Sequence, residues 1–203
     1  MLCGAAGSPV CAPCLAAVRA EAVPPPHQLD ACRALVDYHL ARPLVTRLKN
    51  GQRRSLVAPL AAALSELVAP PPGAVVTWAP TTPERARARG FDQAELLARA
   101  LARRWRLPAA PLLRRAPGTA QVGRGRSGRW AAPAFEARRR VPPRVVLVDD
   151  VATTGATLTA AARALRAAGA ATVEAVVLAQ AERAPVITRG VGSVTERAGR
   201  GLR

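Results

Sequence analysis

The chain has 203 residues, 30 Lys plus Arg against 13 Asp plus Glu, and a formal net charge of +17. That length holds one ordinary domain with a modest appendage, and a hydrophobic content of 50% excludes global disorder. Only 3% of the chain is aromatic, so its core must be built of Ala, Val and Leu. No uncharged apolar run approaches the roughly 18 to 20 residues that a membrane span needs, and the N-terminus lacks the basic-then-apolar order of a signal peptide. The expectation is a cytoplasmic protein without membrane insertion.

Every basic residue except Lys49 is arginine. Such a bias, shared with Ala and Pro, marks a GC-rich genome and weakens the inference from net charge to nucleic acid. Lys49 is either a chance survivor or a position where a compact, titratable ammonium does what a guanidinium does not.

Along the chain, four cysteines come first: Cys3, Cys11, Cys14 and Cys32. In a cytoplasmic chain such clustering favours metal over disulfides. Cys11-Ala-Pro-Cys14 has the two-residue gap that offers two thiolates to a tetrahedral zinc, and Cys3-Gly4 resembles half of a second knuckle. Three readings stay open: a missing ligand upstream of Met1, Cys32 as the fourth ligand, or free thiols in a frayed terminus. The prolines at 24–26 then read as a stiff linker.

Residues 31–38 read as an extended stretch and 42–50 as a helical turn or two closed by Gly51. Ser55 is expected to cap an Ala- and Leu-rich helix that runs to about 69 and stops at three prolines. Val75 to Trp78 is a short apolar strand. Asp92 and Glu95 form a capping-box pair ahead of Leu96, Leu97, Ala100 and Leu101, whose spacing marks one buried helical face. Leu112 and Leu113 close another short strand. The stretch 114–133 is polar, Arg-rich and Gly-rich, and so is a lid or a disordered loop and no core element. Residues 145–148 form a buried strand, 158–168 a helix ended by Gly169, and 172–178 another buried strand. Buried strands alternating with helices argue a parallel α/β sheet with ligands at the carboxyl ends of its strands. The last stretch, 183–203, reads as a basic disordered tail.

The chemistry concentrates in Val145-Val146-Leu147-Val148-Asp149-Asp150-Val151-Ala152-Thr153-Thr154-Gly155-Ala156-Thr157. A buried strand delivers two carboxylates, and the small hydroxyl and glycine residues after them run into a helix. Amides and hydroxyls at a helix N-terminus favour a phosphate. The carboxylates would repel that phosphate, so they serve a neutral polyol or a metal beside it; phosphate next to diol describes a ribose 5-phosphate. The bland alternative is an acidic strand end that caps a helix in some other α/β protein.

This stretch resembles the motif that binds 5-phosphoribosyl 1-diphosphate (PRPP) in type I phosphoribosyltransferases. The resemblance extends to the ComF family of competence-associated proteins. It is carried by the N-terminal cysteine knuckles, Arg47-Leu48-Lys49-Asn50-Gly51, Arg89-Gly90-Phe91-Asp92-Gln93-Ala94-Glu95-Leu96-Leu97-Ala98 and the PRPP motif, and spans Cys3 to about Ala179. In the second run Asp92 stands where the family pattern has Asn.

The resemblance implies an α/β type I phosphoribosyltransferase fold, a mostly parallel sheet flanked by helices. A small Cys-rich zinc-ribbon-like segment would precede it, and a flexible hood loop would rise from it. Residues 1–26 would be the zinc-binding segment and linker, 27–182 the phosphoribosyltransferase-like domain, and 183–203 the tail. Asp149 and Asp150 would hold the ribose hydroxyls, directly or near magnesium, and Ala152, Thr153, Thr154, Gly155, Ala156 and Thr157 would wrap the 5-phosphate. Ala79 and Pro80, after the first strand, would lie in a diphosphate loop whose backbone amides face the ligand together with Arg85 and Arg89. For Arg85 and Arg87 solvated surface charge is the competing reading. Lys49 would lie near the phosphates, and Arg115, Thr119, Gln121 and Arg129 in the closing loop.

The implied activity is transfer of a phosphoribosyl group from PRPP, with Mg2+, to an unidentified acceptor, and Zn2+ at the cysteines is the second implied metal. An alternative of another class is a noncatalytic competence factor that binds single-stranded DNA and a helicase-like partner. Three Trp, one Tyr and two Phe make a poor stacking platform for such a strand.

Overall fold

The computed structural model describes residues 21–23, 25–37, 54–116 and 133–180. The expected residues Cys3, Cys11, Cys14, Lys49, Thr119, Gln121 and Arg129, the helical turn at 42–50 and the tail at 183–203 lie outside the described residues.

Five strands make the main sheet, in the spatial order β1, β2, β7, β6, β3. They are β1 (Glu21–Val23), β2 (Ala31–Asp37), β3 (Val75–Trp78), β6 (Arg144–Ala152) and β7 (Thr172–Gln180). β2 with β7, β7 with β6, and β6 with β3 are parallel, and β1 alone runs antiparallel on the edge. The sheet therefore begins at Glu21, ahead of the prolines read as a linker.

The central strands are continuous apolar runs because both sheet faces are covered. On one face Val76, Trp78, Val146, Val148, Val176 and Leu178 meet Leu60 and Leu64 of α1 (Val57–Leu67) and Leu97 and Leu101 of α3 (Gln93–Trp105). On the other, Val145, Leu147, Val173, Ala175 and Val177 meet Leu158, Ala161 and Leu165 of α4 (Ala156–Ala167). Alanine-rich helix faces let the helix backbones lie close to the sheet. Each fully buried leucine contributes about 1.5–3 kcal/mol by leaving water.

Several local expectations are revised. Ser55 does not cap α1: a 3-10 turn over Arg54–Leu56 leads into the helix, whose N-cap, Leu56, makes no side-chain bond. A helix that the sequence reading lacks, α2 (Pro83–Arg89), follows β3. Its signals are legible in retrospect: Thr82 caps it, Pro83 opens it, and Gly90 ends it at φ +77°. α4 begins two residues before the expected Leu158. β6 does not stop at Val148 but carries both acids inside the strand.

The strand expected to close at Leu112 and Leu113 starts at Leu113 instead. β4 (Leu113–Arg115) pairs antiparallel with β5 (Phe135–Ala137) in a two-stranded sheet of its own. Its strands flank residues 117–132, the bulk of the expected hood loop, which lie outside the described residues. Among the described residues no helix is long and apolar enough to cross a membrane.

Candidate active site at the carboxyl ends of the strands

The strand β3 ends at Trp78 opposite Val148 of its parallel neighbour β6, which runs on to Ala152. The backbone of Ala79 then donates to the Val148 carbonyl at 3.1 Å, which holds the turn after β3 against the acidic end of β6. At this edge lie Ala79, Pro80, Asp149 and Asp150 of the expected residues.

Because β6 continues to Ala152, Asp149 and Asp150 follow the strand period and leave on opposite sheet faces. Asp149 is buried, 9% exposed, and accepts the amide of Asp150 at 2.8 Å; Asp150 is half-buried. The two acids thus have unlike surroundings. Ala152 is buried as the last residue of the strand.

The turn itself is short, residues 153–155. Thr153 and Thr154 are exposed, and Thr154 Oγ1 accepts the Ala156 amide at 3.3 Å. Gly155 sits at φ +74°, a left-handed conformation that costs a side-chain-bearing residue about 1 kcal/mol or more. It is the N-cap of α4 without a side-chain bond, and Ala156 and Thr157 form the first helical turn. First-turn amides have no partner within a helix, so this end carries partial positive charge.

Opposite lies the 79–82 turn. Thr81 donates its amide to Asp92 Oδ2 at 2.7 Å, while Asp92 Oδ1 accepts the amides of Ala94 and Glu95 at 3.0 and 3.3 Å. The capping pair is one-sided, because Glu95 turns to Arg99, 2.8 Å away, rather than back to Asp92. Burial pushes the Asp92 carboxyl up from its ordinary value, and the three amides oppose that shift. The amides expected to face a diphosphate are therefore largely engaged within the protein.

Arg115, at the end of β4, links the parts. Its Nε donates to the Pro80 carbonyl at 2.9 Å, and its guanidinium lies 5.1 Å from the centre of the Phe135 ring. Burial lowers its pKa first, the charge of Arg85 adds to that, and Asp149 and Asp92 oppose it. Two arginines and two carboxylates of the site thus share one electrostatic neighbourhood.

Arg89 lies half-buried in the last turn of α2. Arg54, which the sequence reading passed over, donates to the Gly90 carbonyl at 3.1 Å and stacks 4.8 Å from the Phe91 ring centre. It thereby holds the Arg-Gly-Phe-Asp run from a distant part of the chain, and nothing in its local sequence signals that role.

Cys32 is 2% exposed in β2 and belongs to the core on the α4 face with Ala34. Among the described residues no group of three or more His, Cys, Asp or Glu side chains could hold a metal ion.

The family model of the phosphoribosyl transferase domain matches residues 143–189. Within the described residues that span is β6, the 153–155 turn, α4 and β7, the unit built around the acidic strand end. Solved structures of hypoxanthine phosphoribosyltransferases are similar at low identity. A glutamic acid mutant from an analysis of an invariant aspartic acid in HPRTs is 15% identical with a TM-score of 0.37, covering 67% of this chain and 68% of that one. The Trypanosoma cruzi enzyme in complex with the product IMP is 18% identical with a TM-score of 0.34, covering 68% and 67%. No curated protein sequence matches the chain.

Proposed function

We propose that this chain is a PRPP-binding phosphoribosyltransferase that acts with magnesium on an unidentified acceptor. The observation that carries the reading is the succession of an acid-ended strand, a turn with Gly155 at positive φ and the N-terminus of α4, within the span matched by the family model. Thr153, Thr154 and the first turn of α4 are suited to a 5-phosphate, because hydroxyls and amides there face an anion. Asp149 and Asp150 are suited to neutral ribose hydroxyls or to the ion that accompanies the diphosphate.

Magnesium ordinarily takes one or two carboxylates and completes its shell with substrate phosphates and water, so a single one of the two acids would suffice to hold it. When bound it neutralises charge on the diphosphate. The protein's own part is electrostatic and positional. Arg115 and Arg85 place positive charge beside the 79–82 turn, where the diphosphate leaves as the bond from the anomeric carbon to its oxygen breaks and a bond to the acceptor forms.

The ComF resemblance extends this reading to competence and DNA uptake. Single-stranded DNA and a helicase-like partner rest on that resemblance and on the net charge of +17, and zinc rests on the cysteine spacing.

Calorimetry with PRPP and magnesium tests the reading on the wild type and on Asp149→Asn combined with Asp150→Asn. Binding by the wild type and its loss in the double variant are expected. Heat that persists unchanged in the variant sinks the proposal.

A further inference from the structure

Four backbone positions, 79–82, lie between β3 and α2, and their hydrogen bonds can be followed one by one. Ala79 gives its amide to Val148, Pro80 has none, and Thr81 gives its amide to Asp92. Pro80 in turn gives its carbonyl to Arg115. Only Thr82 keeps an amide without a partner among the described residues, and its hydroxyl already accepts from the Arg85 amide. The turn is thus held from three sides, by β6, by the start of α3 and by the last residue of β4.

We propose that Asp92 is a positioning residue: by taking the Thr81 amide it locks the 79–82 turn to α3, so that the turn withholds that amide and meets its anionic ligand with the Thr82 amide, the Thr81 hydroxyl and neighbouring arginines. The mooring of the turn stands on the geometry alone; the ligand half rests on the function proposed above.

The chemistry of the carboxylate is what makes the link. One oxygen, Oδ1, caps the helix through Ala94 and Glu95, and the other, Oδ2, is left to accept from Thr81. Asparagine would cap equally well through its single carbonyl oxygen, but would turn an NH2 donor toward the Thr81 donor. A bond from an amide to a charged acceptor is among the stronger ones a backbone can make.

Helix capping and turn positioning separate by substitution. Asp92→Asn keeps the cap and removes the Thr81 link, whereas Asp92→Ala removes both. Hydrogen exchange at the Thr81 amide, read by NMR on the full chain without ligand, is expected to speed up about tenfold or more in Asp92→Asn, as for loss of a bond to a charged group. The amides of Ala94 and Glu95 stay protected in Asp92→Asn and lose protection in Asp92→Ala.

Titration with PRPP and magnesium is then expected to show about tenfold weaker binding by Asp92→Asn, with the wild-type Thr81 amide still protected in the complex. Unchanged Thr81 exchange in Asp92→Asn overturns the link. Tighter PRPP binding by that variant, or a Thr81 amide that leaves Asp92 when ligand is added, overturns the positioning role and makes the carboxylate a competitor. A wild type that binds no PRPP removes the proposed function, while the ligand-free exchange result still decides whether Asp92 moors the turn.

Discussion

The Nε–H of Arg115 reaches the carbonyl oxygen of Pro80 at 2.9 Å across 35 positions of the sequence. That bond joins the end of the β4–β5 pair nearest its connecting segment to the turn after β3, and the stacking of the same guanidinium on Phe135 fixes its direction.

Arg115→Lys keeps a positive charge but loses the planar fork that donates to Pro80 while lying on the ring. The expected result is a loss of about 1–2 kcal/mol in stability, together with weaker PRPP binding. Urea denaturation and calorimetry on the one variant measure both. Full retention of affinity would show that charge alone suffices at this position.

The Asp92 carboxyl is held above its ordinary value of 3.8, with burial as the leading cause. A raised folded-state pKa means that the folded chain takes up the proton more readily than the unfolded chain. The stability linked to that proton is fully present below 3.8 and is lost as pH rises through the folded-state pKa. Relative to Asp92→Asn, the wild type should therefore gain stability as pH falls from neutral toward 3.8. Denaturation of both proteins at stepped pH reads the difference directly. A gap that is flat with pH, or that moves the other way, contradicts the assignment.

At the opposite end of the sheet, Asp30 Oδ2 accepts the Val173 amide at 2.7 Å and pairs with Arg166 at 2.7 Å. Arg166 also donates to the carbonyls of Gln28 and Ala171, so one guanidinium ties the entry of β2 to the loop between α4 and β7. Asp30→Ala should cost about 1–3 kcal/mol, mostly through the orphaned Val173 amide, since a partly exposed ion pair adds little. PRPP binding should be unchanged, because this staple lies at the amino ends of the strands. A double variant with Arg166→Ala should lose less than the sum of the two single variants, as checked by thermal denaturation.

Much of the central unit was legible from local pattern. The apolar runs in β3, β6 and β7 mark buried strands because a parallel sheet covered on both faces shows no alternation. Asp92 was read as a helix cap because capping depends on residues two and three positions away. The misplacements were also local in kind. α2 is absent from the sequence reading because the helix buries none of its residues and so shows no apolar period. From local pattern β6 ends at Val148, because two acids look like a strand terminus, but the neighbouring strand β7 pairs with β6 as far as Ala152.

By itself the sequence determined the alternation of strands and helices, the acidic strand end and the glycine turn that runs into α4. These depend on hydrophobic period and on backbone preferences that act within a few residues. The tertiary structure decided which groups meet. Strand period and pairing part Asp149 from Asp150, Arg115 is carried to Pro80, Arg54 is set against Phe91, and the second oxygen of Asp92 is given to Thr81. Those contacts join separate elements, and the geometry that satisfies them exists only once the sheet is assembled and its helices are docked.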